Sequence, residues 1–195
     1  MIKQKNIKVI IEISARHVHL SGEQIKKLFG QGYELTVLKK LSQDGEFASN
    51  EVVGIKTAKN ILKNVRILGP TRDYTQVEIS KTDAFYLGLD PLVRASGDLG
   101  DTPGLTIVGP KGEIDIPEGV ILSYRHIHSS PSQAKKYGLK NRQIVKVKIA
   151  GRRGLVFDNV MVKVKEGFDW RMHVDTDEAN AAGVDNSNNL GIVIV

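Results

Sequence analysis

The five histidines of the chain occupy two short motifs and one separate position, and this distribution points to metal chemistry. His17 and His19 form one His-x-His pair, His126 and His128 form a second, and His173 stands alone. Residues two apart in an extended segment project from the same face, so each pair can present two imidazoles to one ion. The chain has no cysteine, which excludes disulfides, thiolate nucleophiles and thiolate ligands. Any metal must therefore be held by His, Asp or Glu.

The histidine pairs belong to an internal repeat. Residues 14–21, SARHVHLS, recur as residues 123–130, SYRHIHSS, at an offset of 109 positions. An apolar strand precedes each copy, and a helix start follows it. Ser21-x-x-Gln24 and Ser130-x-x-Gln133 both fit a capping box, in which side chains and backbone N–H groups at the helix start bond reciprocally. The repeat thus predicts strand, Arg-His-x-His and capped helix, twice.

A second, weaker repeat supplies a third ligand for each pair. Residues 77–84 align with residues 172–179 at an offset of 95, which places Glu78 opposite His173. The result resembles zinc sites with three protein ligands, which keep one position open for water or substrate. Two histidines and a carboxylate also suit non-haem iron, so the identity of the metal stays open. The two predicted ligand sets are His17, His19 and Glu78, and His126, His128 and His173.

Arg72 is the candidate for binding an anion beside the metals. It lies six residues before Glu78, and an arginine next to cations would be repelled unless an anion shared the site. A phosphate held by the guanidinium fork satisfies that condition. An ion pair with a nearby surface carboxylate explains Arg72 equally well. Arg16 and Arg125, each beside a histidine pair, should point to the opposite strand face and are interpreted as structural or rim residues.

The elements that must position these residues are short strands. The chain has 195 residues, which allows one ordinary domain or two small ones. Strand-like segments rich in β-branched residues alternate with turn dipeptides, and the long helices of a doubly wound α/β fold are missing. The pattern predicts a mainly β protein, built as barrels or sandwiches with a few short helices. The strongest predicted strands are 7–13, 34–38, 51–56, 65–68, 76–80, 105–108, 120–124, 143–149, 160–165, 172–175 and 191–195.

Composition excludes several classes of protein. Hydrophobic residues make up 41% and charged residues 26% of the chain, as in soluble globular proteins. Its apolar runs are too short to cross a bilayer and no signal peptide precedes them, so a cytoplasmic protein without a membrane partner is expected. The net charge of +6 favours an anionic partner. Because basic residues are scattered and only 6% of residues are aromatic, a small anion is favoured over nucleic acid.

Two alternatives compete with this interpretation. A basic nucleic-acid-binding β-barrel would leave the duplicated histidines unexplained. A cupin-like or other metal-dependent oxygenase or hydrolase also places His-x-His on barrel strands, with a carboxylate three or four residues later. Glu23 occupies that position after His19, but Ser132 stands at the matching place in the second copy.

Several separate motifs, in order from Ile7 to Gly183, resemble the PduL-type phosphate acyltransferase family, also called the phosphate propanoyltransferase or phosphotransacylase family. The resemblance implies two small β-barrels capped by short helices and related by internal duplication. One would comprise residues 1–15 and 124–195, with the first strand joining the C-terminal half, and the other residues 16–123. The motifs are ARHVHLS (15–21), RILGP (66–70), TQVEIS (75–80), RHIHSSP (125–131) and MHVDTDEAN (172–180).

The resemblance also implies a reaction and roles for the site residues. Acyl-CoA and phosphate would be converted reversibly to acyl phosphate and CoA at two zinc ions between the barrels. Arg72 would act as a catalytic residue that binds phosphate, and Ser96, in a glycine-rich loop, would line the same site. The first ion would meet the coenzyme A sulfur and the second would be more hydrated. Their respective ligands would be His17, His19 and Glu78, and His126, His128 and His173.

The residues agree with direct acyl transfer. Phosphate already carries an anionic oxygen, no cysteine can form an acyl-enzyme, and no serine has an unengaged histidine beside it. Acetyl and propanoyl are both compatible with the sequence as the acyl group. The sequence leaves the oligomeric state open, and a homodimer is the common arrangement for such enzymes. Relatives packaged in bacterial microcompartments carry an amphipathic N-terminal extension, whereas only residues 1–6 precede the first predicted strand, so a free cytosolic enzyme is expected here.

Overall fold

The computed structural model describes residues 7–195, which form two compact units. The first, named the barrel unit, comprises residues 7–14, 42–44 and 124–195 of the described chain. The second, named the sheet unit, comprises residues 15–41 and 45–123. The strands are β1 (Ile7–Ile13), β2 (His17–His19), β3 (Val37–Lys40), β4 (Phe47–Lys56), β5 (Ile61–Gly69), β6 (Gln76–Glu78), β7 (Val93–Arg94), β8 (Leu105–Val108), β9 (Glu113–Ile116), β10 (Val120–Ser123), β11 (His126–Ser129), β12 (Ile144–Ile149), β13 (Val156–Val164), β14 (Arg171–Val174) and β15 (Leu190–Ile194). The helices are α1 (Gly22–Phe29), α2 (Lys81–Leu87), α3 (Pro131–Tyr137) and α4 (Thr176–Ala182).

The barrel unit is a closed barrel of six strands in the order β1-β14-β11-β13-β12-β15. β1 runs parallel to β14 and antiparallel to β15, and these two pairings complete the ring. Ile7, Val9 and Ile11 are buried and alternate with more exposed residues, as a strand with one face toward the core requires. They pack with buried residues of the other strands, among them Ile127 and Met172. Closure leaves the barrel without an unpaired edge.

The sheet unit has nine strands that curl into a half-barrel. Its strand order is β7-β10-β6-β2-β5-β4-β8-β9, and β3 pairs with β4 off this path. The inner faces of the strands are fully buried at Val18, Ile55, Ile67, Val77 and Ile107. The short strands β2 and β6 lie side by side in the middle of this order, and they carry the first predicted ligand set. The core beneath them therefore fixes the position of that set.

Each helix begins at a reciprocal capping box, which confirms the helix starts predicted from the repeat. The N-cap residues are Ser21, Ser80, Ser130 and Asp175. The Gln, Asp or Glu three residues later returns a bond to the N-cap N–H in every case. The longest of these helices has eight residues, and none within residues 7–195 is long and apolar enough to cross a membrane.

The mainly β fold predicted from the sequence is confirmed. Four observed strands, β2, β7, β9 and β11, are not among the strongest predicted ones, and each has four residues or fewer. Strand ends differ as well: β3 begins at Val37 rather than at residue 34, and the β4–β5 hairpin extends well beyond the two predicted cores. Its outer part contains Lys63 and Asn64, which are exposed. These polar residues lie where the β4–β5 register shifts, and they weaken the apolar alternation from which strands are predicted.

Candidate metal centres

The first predicted ligand set lies on two adjacent strands of the sheet unit. β2 and β6 are antiparallel, with His17 directly opposite Glu78 and His19 opposite Gln76. One ligand atom from each of His17, His19 and Glu78 lies within 4.8 Å of the others. His17 Nε2 is 3.6 Å from Glu78 Oε1, and the two imidazole rings meet edge to face at a centroid distance of 5.0 Å. The pairing register thus brings together residues about 60 positions apart in the chain.

The hydrogen bonds of the two imidazoles leave nitrogen lone pairs directed into the triad. His17 Nδ1 lies 2.8 Å from the carbonyl oxygen of Ala15, an arrangement that protonates Nδ1 and leaves Nε2 as the donor atom toward a metal. His19 Nδ1 is buried and has no hydrogen-bond partner. A buried polar atom without a partner is costly unless something else satisfies it. A cation bound by the triad would satisfy it.

Burial and charge shift the pKa values of the two histidines in opposite directions. Burial, together with His17 and Arg72, lowers the pKa of His19 to about 3, so its imidazole is neutral at neutral pH. Burial also lowers the pKa of His17, but the charge and hydrogen bond of Glu78 outweigh it, and the pKa lies above its ordinary value. A neutral imidazole, a second imidazole and a carboxylate form the N,N,O donor set of a three-ligand zinc site. The residues therefore fit the zinc ion that the sequence predicts.

The second predicted ligand set lies in the barrel unit, again on two adjacent antiparallel strands. β11 and β14 are antiparallel, with His126 directly opposite His173, as His17 is opposite Glu78. The ring centroids of His126, His128 and His173 lie 4.6 to 5.2 Å apart. His126 Nδ1 lies 2.8 Å from the carbonyl oxygen of Tyr124, which repeats the His17–Ala15 contact. Within residues 7–195, only the first set gathers three donor atoms inside 4.8 Å.

A glutamine that the sequence analysis did not identify lies among the second set. Gln43 Nε2 is 3.0 Å from His128 Nδ1 and 3.5 Å from His173 Nε2. Its neighbour Ser42 donates a hydrogen bond of 2.7 Å to Glu12, whose carboxylate lies 3.9 Å from His173 Nδ1. Residues 42–44 belong to the barrel unit, although the residues on both sides of them in the chain belong to the sheet unit. Nothing in the repeat marks them, because residues 42–44 lie outside both repeated segments.

The predicted anion-binding residues lie in one hydrogen-bonded network with the first triad. Arg72 Nη1 donates to Ser96 Oγ at 3.1 Å and to the hydroxyl of Tyr74 at 3.2 Å. Its Nη2 lies 3.4 Å from Glu46 Oε1, a contact that corresponds to the carboxylate pairing weighed above. The backbone N–H of Arg72 donates to the carbonyl of Leu20, the residue after His19. Arg72 and Ser96 are thus brought together, and Arg72 is tied to the β2 strand end.

Gln76 connects that network to the metal ligands, and the sequence analysis missed it. Its side chain is fully buried, and Nε2 donates to Glu78 Oε1 at 2.6 Å and to Ser96 Oγ at 2.9 Å. The backbone N–H of Gly97 donates to Gln76 Oε1 at 2.7 Å. A signal for it existed, because Gln76 is two residues before Glu78 and therefore shares its strand face. Gln76 holds the Glu78 carboxylate and the 96–97 turn in one arrangement.

The carboxylate required by the cupin-like alternative lies elsewhere. Glu23 is exposed in the first turn of α1, where a carboxylate interacts favourably with the helix dipole. Ser132 lies at the equivalent place in α3, as its sequence position indicates.

Comparison with known proteins agrees with the resemblance carried by the motifs. The family model for phosphate propanoyltransferase matches residues 10–185. A phosphate propanoyltransferase of Thermotoga maritima is 52% identical over 186 residues, covering 95% of this chain and 89% of the relative. Proteins of the same name from Clostridioides difficile and Listeria monocytogenes are 46% and 47% identical, covering 92% and 90% of this chain and 86% and 82% of their own lengths. Since the match includes both histidine pairs and both third-ligand positions, the chain belongs to the phosphate propanoyltransferase family.

Proposed function

We propose that this protein transfers a short acyl group reversibly between coenzyme A and inorganic phosphate, with two zinc ions as cofactors. The observation that carries the proposal is the continuous network in the sheet unit, from the His17/His19/Glu78 triad through Gln76 and Ser96 to Arg72. It combines a set of metal ligands with a cationic group suited to phosphate. The names of the relatives support the same reaction.

The proposed ligands divide into two sets, which follow the duplicated sequence. One ion is assigned to His17, His19 and Glu78, and the other to His126, His128 and His173. A bound zinc ion supplies Lewis acidity, which polarises a thioester carbonyl and stabilises a thiolate. The first set carries one negative charge through Glu78, whereas the second consists of imidazoles. Following the family resemblance, we assign the thiolate of CoA to the first set and a more hydrated ion to the second.

Arg72 is assigned to the phosphate. Its guanidinium can present two parallel N–H donors to two phosphate oxygens, a geometry that fixes the direction of the attacking oxygen as well as its charge. The Ser96 hydroxyl, which already lies against both Arg72 and Gln76, is within reach of the same anion. Holding phosphate in one orientation beside the thioester lowers the barrier through proximity, without a strong general base.

The transfer is proposed to be direct. An oxygen of phosphate forms the new C–O bond to the acyl carbon, the C–S bond breaks, and CoA leaves as a thiolate that takes up a proton. The chain offers no cysteine as an acyl carrier, and all five histidines belong to the proposed ligand sets. Incubation with radiolabelled acyl-CoA without phosphate should leave the protein unlabelled. A stable acylated protein would contradict direct transfer.

The decisive assay follows thioester absorbance as acyl phosphate and CoA are converted to acyl-CoA and phosphate. Activity should disappear when a chelator removes the metal and return when zinc is added. Propanoyl phosphate and acetyl phosphate are compared in parallel, because the relatives' names indicate propanoyl whereas the sequence is compatible with both. If the protein binds two zinc ions per chain but shows no acyl transfer, the metal sites stand and the proposed reaction is refuted. Full activity of the metal-free protein would refute the role of zinc.

A further inference from the structure

The arginine that precedes each histidine pair makes an ion pair that the proposed reaction does not use. In the sheet unit, Arg16 donates from Nε to Asp83 Oδ2 at 2.9 Å, and its Nη2 lies 2.7 Å from Asp83 Oδ1. The two contacts form a bidentate fork on the carboxylate. The Asp83 side chain is only 4% exposed, so the pair is shielded from solvent on the carboxylate side.

The barrel unit contains the equivalent pair. Arg125, at the repeat position of Arg16, lies with Nε 2.7 Å from Glu178 Oε1. Glu178 is the residue that the second repeat aligns with Asp83. The guanidinium of Arg125 is fixed further by a 3.2 Å hydrogen bond from Nη1 to the carbonyl of Asp158. Two pairs of aligned positions, Arg16 with Arg125 and Asp83 with Glu178, thus form an arginine–carboxylate contact in both units.

Each of these carboxylates also belongs to the capping box at the start of a helix. Asp83 Oδ2 accepts the backbone N–H of Ser80 at 3.3 Å, and Glu178 Oε2 accepts that of Asp175 at 3.1 Å. Ser80 and Asp175 are the N-cap residues of α2 and α4. Each lies two residues after a third ligand, Glu78 or His173. The carboxylate is therefore bonded at once to the arginine and to the backbone that follows the third ligand.

We infer that Arg16 and Arg125 are positioning residues, each of which fixes the third ligand of its unit, Glu78 or His173, against the histidine pair. The arginine directly precedes the first histidine, and its guanidinium bonds to a carboxylate that is not a proposed ligand, so it acts from outside the ligand cluster. In the sheet unit the ion pair joins the start of β2 to the start of α2. In the barrel unit it joins the start of β11 to the start of α4.

The strands that carry the ligands end close to them, so the ion pair adds a second fixed point, which we call the clamp. β2 and β6 are three residues each and are paired over three positions. The buried core holds these strands in the sheet, and the ion pair holds the segment that follows the third ligand. A shielded arginine–carboxylate fork adds a second fixed point on the other side of each ligand. The two units use different carboxylates, Asp83 and Glu178, and different third ligands, Glu78 and His173. The shared feature is therefore the distance between the histidine pair and the third ligand, which we infer the clamp maintains.

The experiment measures zinc affinity at each site separately, and it rests on the proposed metal sites. Competition with a chromophoric chelator is followed in two backgrounds: His126→Gln/His128→Gln, which retains the first set, and His17→Gln/His19→Gln, which retains the second. Arg16→Gln should weaken zinc binding about tenfold in the first background, and Arg125→Gln should do so in the second, as loss of an outer-shell partner does at zinc sites. Each substitution should leave the other unit's affinity unchanged. The Co²⁺ absorption bands of the affected site should shift in the same variants.

Matched variants separate positioning from general stability. Lys81→Gln removes an exposed ion pair with Asp90 from the same α2 helix and should change neither affinity. Arg16→Lys keeps the charge without the fork and should recover part of the affinity. Asp83→Glu and Glu178→Asp give each unit the carboxylate type of the other and keep the ion pair. These two variants replace the glutamine variants in the zinc titration if the latter do not fold.

The outcomes distinguish the inference from the proposed function. Variants with lower thermal stability but unchanged zinc affinity and Co²⁺ bands would overturn the positioning role. Equal weakening of both sites by Arg16→Gln would also overturn it, because the clamp is local to one unit. Failure of the parent single-site proteins and of the wild type to bind zinc would instead refute the metal sites of the proposed function.

Discussion

Arg72 is held by acceptors that a phosphate can replace. Tyr74 and Ser96 offer hydroxyl oxygens and Glu46 offers a carboxylate oxygen at 3.4 Å, a long contact for an ion pair. The Arg72 side chain is 21% exposed, so an anion from solvent can reach it. These contacts therefore orient the Arg72 guanidinium before an anion binds, while its positive charge is only weakly compensated. This is the arrangement expected of a residue that exchanges one anion for another.

Arg72→Lys should raise the KM for phosphate about tenfold or more, while kcat falls less. Lysine keeps the charge but not the planar fork that fits two phosphate oxygens. Steady-state kinetics with phosphate varied at saturating acyl-CoA measure the change. Arg66→Lys is the matched control, since Arg66 donates to the backbone carbonyls of Ser49 and Asn50 in the same unit. Equal effects of the two substitutions, or an unchanged KM, would contradict the assignment.

Glu51 provides a test of acid stability away from the proposed site. It is buried on β4, and accepts hydrogen bonds from the Thr36 backbone N–H, the Thr36 hydroxyl and the Tyr33 hydroxyl, at 3.0, 2.8 and 3.0 Å. Burial raises the pKa of this carboxyl, but the hydrogen bonds outweigh burial and the pKa lies below its ordinary value. The ionised form is therefore favoured by folding. Its stabilisation is present above the ordinary carboxyl pKa and is lost as pH falls through the lowered one.

Glu51→Gln should lower the free energy of unfolding by about 1–3 kcal/mol at pH 7, because charged hydrogen bonds are replaced by neutral ones. The difference between the two proteins should shrink as the pH falls below the ordinary glutamate pKa of about 4.3 and on through the lowered pKa of the folded protein. Urea denaturation of both proteins at a series of pH values measures this. A difference that does not change with pH would show that the charge of Glu51 contributes nothing.

At the scale of elements, local signals predicted the starts of α1 and α3 and the two histidine pairs. Capping boxes identify helix starts because the bonds involve residues three apart, and the histidine pairs follow from the two-residue period of a strand. Gln43 could not be found in this way, since its contact with His128 spans 85 residues and no repeat predicts it. Glu78 was predicted as a third ligand only because a second copy aligned it with His173. Duplication supplied long-range information that a single copy lacks.

The β4–β5 hairpin supports the loop that carries Arg72, through a close contact at its end. Phe47 and Gly69 face each other in the register, and a Cβ atom at Gly69 would lie 2.3 Å from Phe47 Cζ. The ring thus lies directly on the glycine backbone. Gly69 is the last residue of β5 and Arg72 follows three residues later. The position of Arg72, the residue proposed to bind phosphate, therefore depends on the absence of a side chain at residue 69.

Gly69→Ala should destabilise the protein by about 1–3 kcal/mol through overpacking against the ring. Phe47→Ala should destabilise it as well, but the double variant should be more stable than the sum of the two effects predicts, because the clash requires both groups. Denaturant unfolding of the four proteins completes the cycle. Strict additivity would show that the ring moves aside without cost. Gly22→Ala, at a position with nothing within 4 Å of the added atom, is the control for adding a methyl group.

At the scale of the molecule, one structural unit has been used twice with a different third ligand. His17 faces Glu78 and His126 faces His173 in the same antiparallel register, and each set is followed by a capped helix. Replacing a carboxylate by an imidazole leaves one more positive charge on a bound zinc ion. Local charge at a metal controls the pKa of bound water and the affinity for anions. The duplication therefore provides two ligand sets in the same strand register but with different charge.

The net charge of the chain predicts how salt should affect the proposed reaction. With a formal charge of +6 and a pI near 9.4, the protein attracts substrates that carry phosphate groups. The screening length falls to about 10 Å at 0.1 M salt, so long-range attraction is lost as salt rises. The kcat/KM for acyl-CoA should fall several-fold between about 20 and 300 mM sodium chloride, with kcat nearly constant. The acyl-pantetheine thioester, which lacks the nucleotide phosphates, should respond much less at the same fixed phosphate concentration. Equal salt dependence for both thioesters would place the effect at the phosphate site rather than in the attraction of CoA.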